Sequence, residues 1–323
     1  MTMLGLLALT SFALALLATQ VLLSRFAAFA LDRPNERSLH ERPVPRTGGI
    51  AVLLGSLSAF AFGAASLWLP IAVAYALAIA SFLDDVRGLP TIVRLALHIA
   101  AASVVVWYLL SPMAMAEMIM LVLAVAWITN LYNFMDGSDG LAGGMATVGF
   151  GTYALAAQLS NDWALACISA ALAAASAAFL VRNFHPARLF MGDVGSIPLG
   201  FSAAALGIVG WRNDIWPLWF PIFAFGPFVA DATITLFKRL VRGERVWHAH
   251  REHYYQRMLR MGLGHRRTAY VGYALMIFCA AMALWGRAQP PSTQAVALGL
   301  ASVVLAGIAL WVDFRWARFA TKS

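Results

Sequence analysis

Long apolar runs separated by short polar breaks cover the whole chain, and most of them have the length of a bilayer crossing. A helix needs about 20 mainly apolar residues to span the hydrocarbon core. Runs of that order, cut by Pro, Gly or charge, fall at residues 3–23, 48–67, 71–83, 92–110, 118–134, 144–159, 163–181, 197–209, 215–237, 269–285 and 295–312. The third and eighth are short, and the second parts from the third at Trp68-Leu69-Pro70. The pattern predicts an all-α polytopic membrane protein of ten to eleven transmembrane helices, with residues 1–323 as one integral-membrane domain. Its only substantial extramembrane piece is the loop 238–267. No basic residue precedes the first run, which is 21 residues long and reads as a retained span, not a cleaved signal peptide.

Composition agrees: 61% hydrophobic residues, 12% charged residues and a mean hydropathy of +0.75 place the chain outside the range of soluble globular proteins. Cys167 and Cys279 both lie inside apolar runs, so no disulfide framework is expected.

Charge then sets the orientation. Eleven crossings put the termini on opposite faces. With the N-terminus outside, in the periplasm, 21 of the 23 Lys and Arg residues fall on the inner face, and only Arg212 and Arg287 fall outside. That asymmetry is a strong positive-inside signal. Trp68, Trp107, Trp163, Trp211, Trp216, Trp219 and Trp285 come out at the outer ends, where interfacial anchors belong. Every polar motif comes out cytoplasmic. The formal net charge of +8 follows from the inner-face arginines and implies contact with anionic headgroups of membrane lipid, not nucleic acid.

The densest motif is residues 130–144, Asn-Leu-Tyr-Asn-Phe-Met-Asp-Gly-Ser-Asp-Gly-Leu-Ala-Gly-Gly. A carboxylate in hydrocarbon costs about 2.5 to 3.5 kcal/mol, so acids set between spans mark a functional site. Asn130, Asn133, Asp136 and Asp139 recur every three residues. On a helix they would share one face, and such hard oxygen donors suit Mg²⁺. The Asp-Gly-Ser-Asp-Gly portion leads into the next span, with Gly143-Gly144 as its start, and the first amides of that span can receive an anion. An EF-hand-like calcium loop would need further alternating carboxylates and a closing Glu, which are absent.

Three more motifs share that face. Asp84 and Asp85 end the third span; adjacent carboxylates repel unless a cation or proton intervenes. A solvated helix end and a site for Mg²⁺ or an acceptor phosphate both remain open. Asp193 sits between two glycines with Arg188 five residues earlier, either as a cap on the next helix or as a site acid. The loop Trp247-His-Ala-His-Arg-Glu-His supplies His248, His250, Arg251 and His253, with Arg257 beyond. Histidines so spaced can bind zinc, but a strongly basic loop without cysteine fits a diphosphate better, and a headgroup-binding loop is the plainer alternative. Asp231 reads as structural support for the site, and His98 as a satisfied core histidine without a role.

Together the motifs resemble the polyprenyl-phosphate N-acetylhexosamine-1-phosphate transferase family. The resemblance runs from Asp32 to about Arg267. It takes in Asp32-Arg-Pro-Asn-Glu-Arg, His40, Pro45-Arg-Thr-Gly-Gly, the aspartate pair, Asn-x-x-Asn-x-x-Asp-Gly-x-Asp-Gly-Leu-Ala, Pro-Ala-x-x-Phe-Met-Gly-Asp-Val-Gly-Ser and the histidine loop. Each is weak alone; five in this order on one face are specific. The resemblance implies a UDP-N-acetylhexosamine donor, undecaprenyl phosphate as acceptor, Mg²⁺ with Mn²⁺ as a substitute, and a place in the bacterial inner membrane. Carried onto matching positions, Asn133 and Asp193 would ligate the metal and Asp139 would face the uracil. His250, Arg251 and His253 would hold the diphosphate, and Asp84 and Asp85 would form the base or acceptor-phosphate site. Asp136 would shape the site's electrostatics, while Arg46, Asn130, Arg188 and His248 would be further substrate contacts.

Two departures bear on the donor. The peptidoglycan translocase branch has Lys where this chain has Arg87 and three consecutive histidines where it has His-Ala-His-Arg-Glu-His. Both favour the O-antigen-initiating branch over a muramoyl-pentapeptide donor. An anion transporter would place its carboxylates at mid-membrane in broken helices, and a membrane prenyltransferase would need an Asp-Asp-x-x-Asp motif.

Overall fold

Glycine or proline stands at the ends of several helices, at Gly88, Pro90, Gly140, Gly192 and Pro290, in the computed structural model, which describes residues 2–26, 30–32, 43–246, 248 and 250–321. Arg33, Arg37, His40 and Arg42 of the first polar loop, and Trp247, lie outside the described residues. The chain is an all-α, multi-pass membrane protein; its only described strands are a two-residue antiparallel pair, β1 (Leu31–Asp32) with β2 (Val44–Pro45). Among the described residues, eight helices are long and apolar enough to cross a bilayer.

The helices run in order: α1 (Met3–Arg25), α2 (Gly48–Ser56), α3 (Ser58–Ala61), α4 (Trp68–Arg87), α5 (Thr91–Leu110), α6 (Met115–Phe134) and α7 (Leu141–Leu159). They continue with α8 (Trp163–Asn183), α9 (Asp193–Arg212), α10 (Trp219–Ala224), α11 (Gly226–Val241), α12 (Tyr254–Arg260), α13 (Gly264–Arg287) and α14 (Pro291–Ala320). The two short predicted spans prove to be full helices of 20 residues each, α4 and α9. Pro70 sits in the first turn of α4, where its missing N–H costs nothing, and α9 runs on through Pro198.

Two predicted continuous spans are broken. Residues 48–67 divide into α2, α3 and a 3-10 turn over Ala64–Leu67, with Gly63 in the left-handed region at φ 118°. Residues 215–237 divide at Phe225 into α10 and α11, with Pro227 in the first turn of α11. Apolar content identifies membrane-embedded chain, but it does not report where backbone geometry interrupts a helix.

The most buried of the eight long helices is α9, which packs against α4 and α6. Its glycines permit that packing. A Cβ on Gly200 would lie 3.0 Å from the Ile128 carbonyl oxygen, and one on Gly195 would lie 2.5 Å from Gly49 Cα on α2. These approaches draw the polar ends of α2, α4, α6 and α9 together. At the opposite end, Trp163 donates to the Phe62 carbonyl and Trp219 to Gln294, so the tryptophans predicted as anchors are tied into helix ends there.

Candidate active site

The ends of α4, α6 and α9 carry the predicted acids into one cluster. Gly88, in the left-handed region at φ 68°, terminates α4 and gives its N–H to the Asp84 carbonyl, while the Asp84 side chain accepts from Leu89 N at 2.5 Å. That cap turns the aspartate pair toward its neighbours. Asp84 lies 3.4 Å from the Arg94 guanidinium, which is also 3.9 Å from Asp193. Asp85 lies 3.4 Å from Arg46. Asn133 hydrogen-bonds Asp193 and accepts the Ser196 hydroxyl at 2.7 Å.

Asp193 is placed by the segment before it. Phe190 N donates to the Pro45 carbonyl, and Gly48 and Gly49 donate to Phe190 and Met191, so this segment lies like an added strand against residues 45–49. A Cβ on Gly192, at φ 71°, would fall 2.3 Å from the Arg46 carbonyl oxygen, so only glycine fits that approach. The Gly192 N–H points at Asp136. Burial and the Asp193 carboxylate push Asp136 well above the usual carboxylate range, partly offset by that N–H.

The stripe of four residues at spacing three is not one wall. Asn130 and Asn133 lie in the last turns of α6, but Asp136 and Asp139 lie in the turn after it. Gly137 packs under the Tyr255 hydroxyl, and Gly140, at φ 76°, starts α7. The turn swings Asp139 away from the cluster. Its carboxylate bonds His185 Nδ1 at 2.7 Å and Ala187 N at 3.1 Å, with His265 Nδ1 3.8 Å away. The helix ends at Phe134, two residues before Asp136 and five before Asp139, so the prediction of one face does not hold. Gly143-Gly144 are likewise not the start of α7 but lie inside it, packed on Phe179 and Tyr273.

Asn130 faces elsewhere too. Its amide donates to the Ala126 carbonyl at 2.7 Å and it hydrogen-bonds His98. His98 is buried as expected, but its Nδ1 has no partner among the described residues, so it is only half satisfied. Arg188 is exposed on the segment leading to Asp193.

The histidine loop forms the second wall. His253 is buried, with Nδ1 3.1 Å from Asp231 and its ring stacked 6.3 Å from Phe134 at the end of α6. Tyr255 donates its hydroxyl to the Phe134 carbonyl at 3.1 Å, clamping α12 to α6. His250 lies 4.8 Å from His253, ring to ring; burial, then His253 and Arg239, lower its pKa from 6.5 to about 4. His248 is exposed, and the Arg251 carbonyl accepts from Arg260 at 3.5 Å. Among the described residues no three His, Cys, Asp or Glu side chains close on a metal unaided.

Sequence reasoning missed four members. Arg94 bridges two acids of the cluster, Asp32 reaches it through the β1–β2 pair, and His185 and His265 flank Asp139 with parallel rings 5.4 Å apart. Only Asp32, at the head of the first-loop motif, carried a signal.

Known proteins share this chain's pattern. It is 30% identical over 343 residues to the decaprenyl-phosphate N-acetylglucosaminephosphotransferase of Mycobacterium tuberculosis, covering 90% of this chain and 83% of the relative. A probable undecaprenyl-phosphate N-acetylglucosaminyl 1-phosphate transferase of Bacillus subtilis is 28% identical over 76% of this chain and 74% of its own. The phospho-N-acetylmuramoyl-pentapeptide-transferase of Halalkalibacterium halodurans is 35% identical, but over 37% and 36%. The sequence model of glycosyl transferase family 4 matches residues 67–211. The chain belongs to the polyprenyl-phosphate hexosamine-1-phosphate transferases of glycosyl transferase family 4. It is a glycosyl-1-phosphate transferase. The family-matched stretch contains the aspartate pair, Asn133, Asp136, Asp139 and Asp193 but neither Arg46 nor the histidine loop. Both walls thus depend on chain that the family match leaves out.

Proposed function

We propose that this enzyme transfers an N-acetylhexosamine-1-phosphate group from a UDP-sugar to undecaprenyl phosphate, at the cytoplasmic face of the bacterial inner membrane, as the first step of O-antigen or related surface polysaccharide synthesis. The observation that carries the reading is the gathering of Asp84, Asp85, Asn133, Asp136 and Asp193 with Arg46 and Arg94 at one membrane end. An oxygen of the lipid phosphate attacks the sugar-linked phosphorus, a new phosphoanhydride bond forms, and the old one breaks to release UMP. Both reactants are anions, so the site must supply cations and N–H donors where they meet.

On the acceptor side, Arg46 Nε and the Thr47 hydroxyl are buried without partners among the described residues. Arg46, Thr47 and Asp85 line a cavity of ≈ 140 Å³, suited to a phosphate. A phosphomonoester has a second pKa of about 6 and is largely dianionic at neutral pH, so it is already a nucleophile. Asp84 and Asp85 therefore act in placement more than in proton removal. On the donor side, His250, Arg251 and His253 take the diphosphate, with His248 and Arg188 beside it, and Asp139 takes the nucleobase.

The oxygens of Asn133, Asp136 and Asp193 fit Mg²⁺, with Mn²⁺ as a substitute. Their repulsion is met by only two arginines, and a hard ion that keeps waters and shares substrate phosphates needs few protein ligands. Bound there it would neutralise charge on the diphosphate. The N-acetylglucosamine-named relatives cover three quarters or more of this chain and the muramoyl one about a third, which supports a simple N-acetylhexosamine donor.

The test incubates purified protein with Mg²⁺, undecaprenyl phosphate and each of several UDP-N-acetylhexosamines, UDP-N-acetylglucosamine first. The expected result is UMP and a lipid-linked sugar diphosphate in equal amounts. Folded protein that yields neither with any donor overturns the reading.

A further inference from the structure

Among the described residues, Asp231 is the one buried acid outside the carboxylate cluster whose partners include a residue of the histidine loop. It sits on α11, 8% exposed, and gathers four donors. Its Oδ1 faces His253 Nδ1 at 3.1 Å, Tyr254 N at 2.9 Å and the Thr235 hydroxyl at 3.2 Å, while Oδ2 accepts Tyr255 N at 3.0 Å. Tyr254 and Tyr255 open α12, so the carboxylate takes up two amides that the helix itself cannot satisfy. Its negative charge also sits favourably at that N-terminus. Gln256 completes the turn by accepting from His253 N at 3.2 Å.

The chemistry of the contact fixes the histidine. An ionised carboxylate only accepts hydrogen bonds, and the two amides beside His253 are donors without choice. On this chemistry Nδ1 of His253, 3.1 Å from Oδ1, is the donor to Asp231. The other ring nitrogen, Nε2, is left on the far side of the imidazole from Asp231. Phe134 at 6.3 Å and Tyr255 at 6.0 Å, ring centre to ring centre, lie near-parallel to the imidazole and limit its rotation.

We infer that Asp231 is a positioning residue, one carboxylate that caps α12 and at the same time holds His253 in the Nδ1-protonated tautomer with Nε2 presented to the substrate site. The inference rests on the reading that His253 contacts the donor diphosphate. Asp231 does not touch substrate; it acts through His253. A histidine whose second nitrogen is fixed by a carboxylate keeps one orientation and one tautomer, and around metal-bound histidines the loss of such outer partners costs about 10- to 100-fold in affinity or activity.

The experiment uses the full-length protein in detergent with ¹⁵N-labelled histidine, the His253 signal being assigned by its loss in His253→Asn. The wild type is expected to show His253 protonated on Nδ1 and bare at Nε2 at neutral pH; an Nε2-protonated His253 overturns the inference. Asp231→Asn is expected to lower kcat roughly 10- to 100-fold with a smaller change in donor KM, and Asp231→Glu to recover part of the loss. The double variant Asp231→Asn/His253→Asn should be no slower than His253→Asn alone. If instead the double variant loses the full extra factor, Asp231 acts independently of His253 and the inference falls. Should Asp231→Asn not fold, the wild-type tautomer and the Glu variant decide. The tautomer is read without substrate, so a wild type that turned over no donor would defeat the proposed reaction while leaving this measurement intact.

Discussion

His250 shows how a single side chain's setting alters its chemistry. Burial, then the nearby His253 and Arg239, lower its pKa from 6.5 to about 4, and its Nδ1 lies 3.3 Å from the Glu252 N–H, which donates to it. At neutral pH it is an uncharged ring that can donate from Nε2, so under the proposed reaction the positive charge offered to the diphosphate would come from the arginines of the loop. The linkage has a definite sign. Between pH 6.5 and about 4 the unfolded chain binds a proton at this histidine that the folded chain refuses. Stability from this group therefore falls as pH drops through that window. His250→Gln should melt within a degree or two of wild type at pH 7, and its melting temperature in detergent should fall less between pH 7 and pH 5. A parallel fall in both proteins would remove His250 from the acid sensitivity.

At the level of elements, α12 is held at two points by carboxylates from two other helices. Asp231 of α11 caps its start, and Asp313 of α14 accepts from Lys238, from Arg257 at 3.0 Å and from Tyr254 at 3.3 Å. Arg257 is buried and also lies over the rings of Tyr254 and Trp316. The terminal helix thus braces the histidine loop. Removing one partner of a buried pair costs about 3 to 5 kcal/mol, but Asp313 is a quarter exposed and solvent screens it, so about 1 to 3 kcal/mol is expected. Asp313→Ala should open the loop 243–253 to limited proteolysis well before the membrane helices melt, and unchanged cleavage would show that α14 does not brace it. Of the two carboxylates, Asp231 was legible in the sequence as support for the site, and Asp313 was not. Asp313 lies in a 30-residue apolar helix that reads as a plain anchor, and its partners come from residues 56 to 75 positions away. The acids of the cluster were legible because a charge between apolar runs stands out. Arg94, His185 and His265 were not, because a basic residue at the end of a span is what any inner-face terminus carries.

On the scale of the whole molecule, the apolar runs overlap each of the eight helices that, among the described residues, are long and apolar enough to cross a bilayer, since burial in lipid constrains composition strongly. They missed the breaks at Gly63 and Phe225, which depend on backbone geometry. The two basic residues that fall on the other face under the predicted topology include Arg287, whose guanidinium bonds the Ile215 carbonyl at 3.0 Å and the Ser160 hydroxyl at 3.1 Å. It caps chain ends there, which explains why a cation is tolerated against the charge rule. The proposed cytosolic donor requires that the acid cluster face inward, and α13 offers a direct check because it runs from the site end to the opposite end. Arg267 is exposed near its start and Ser292 just beyond its finish, while Cys167 and Cys279 are buried and give little background. In intact spheroplasts a membrane-impermeant maleimide should label Ser292→Cys at once and Arg267→Cys only after permeabilisation. The reverse pattern would invert the topology and leave the site without access to a cytosolic nucleotide sugar; labelling of both from outside would mean that α13 does not cross.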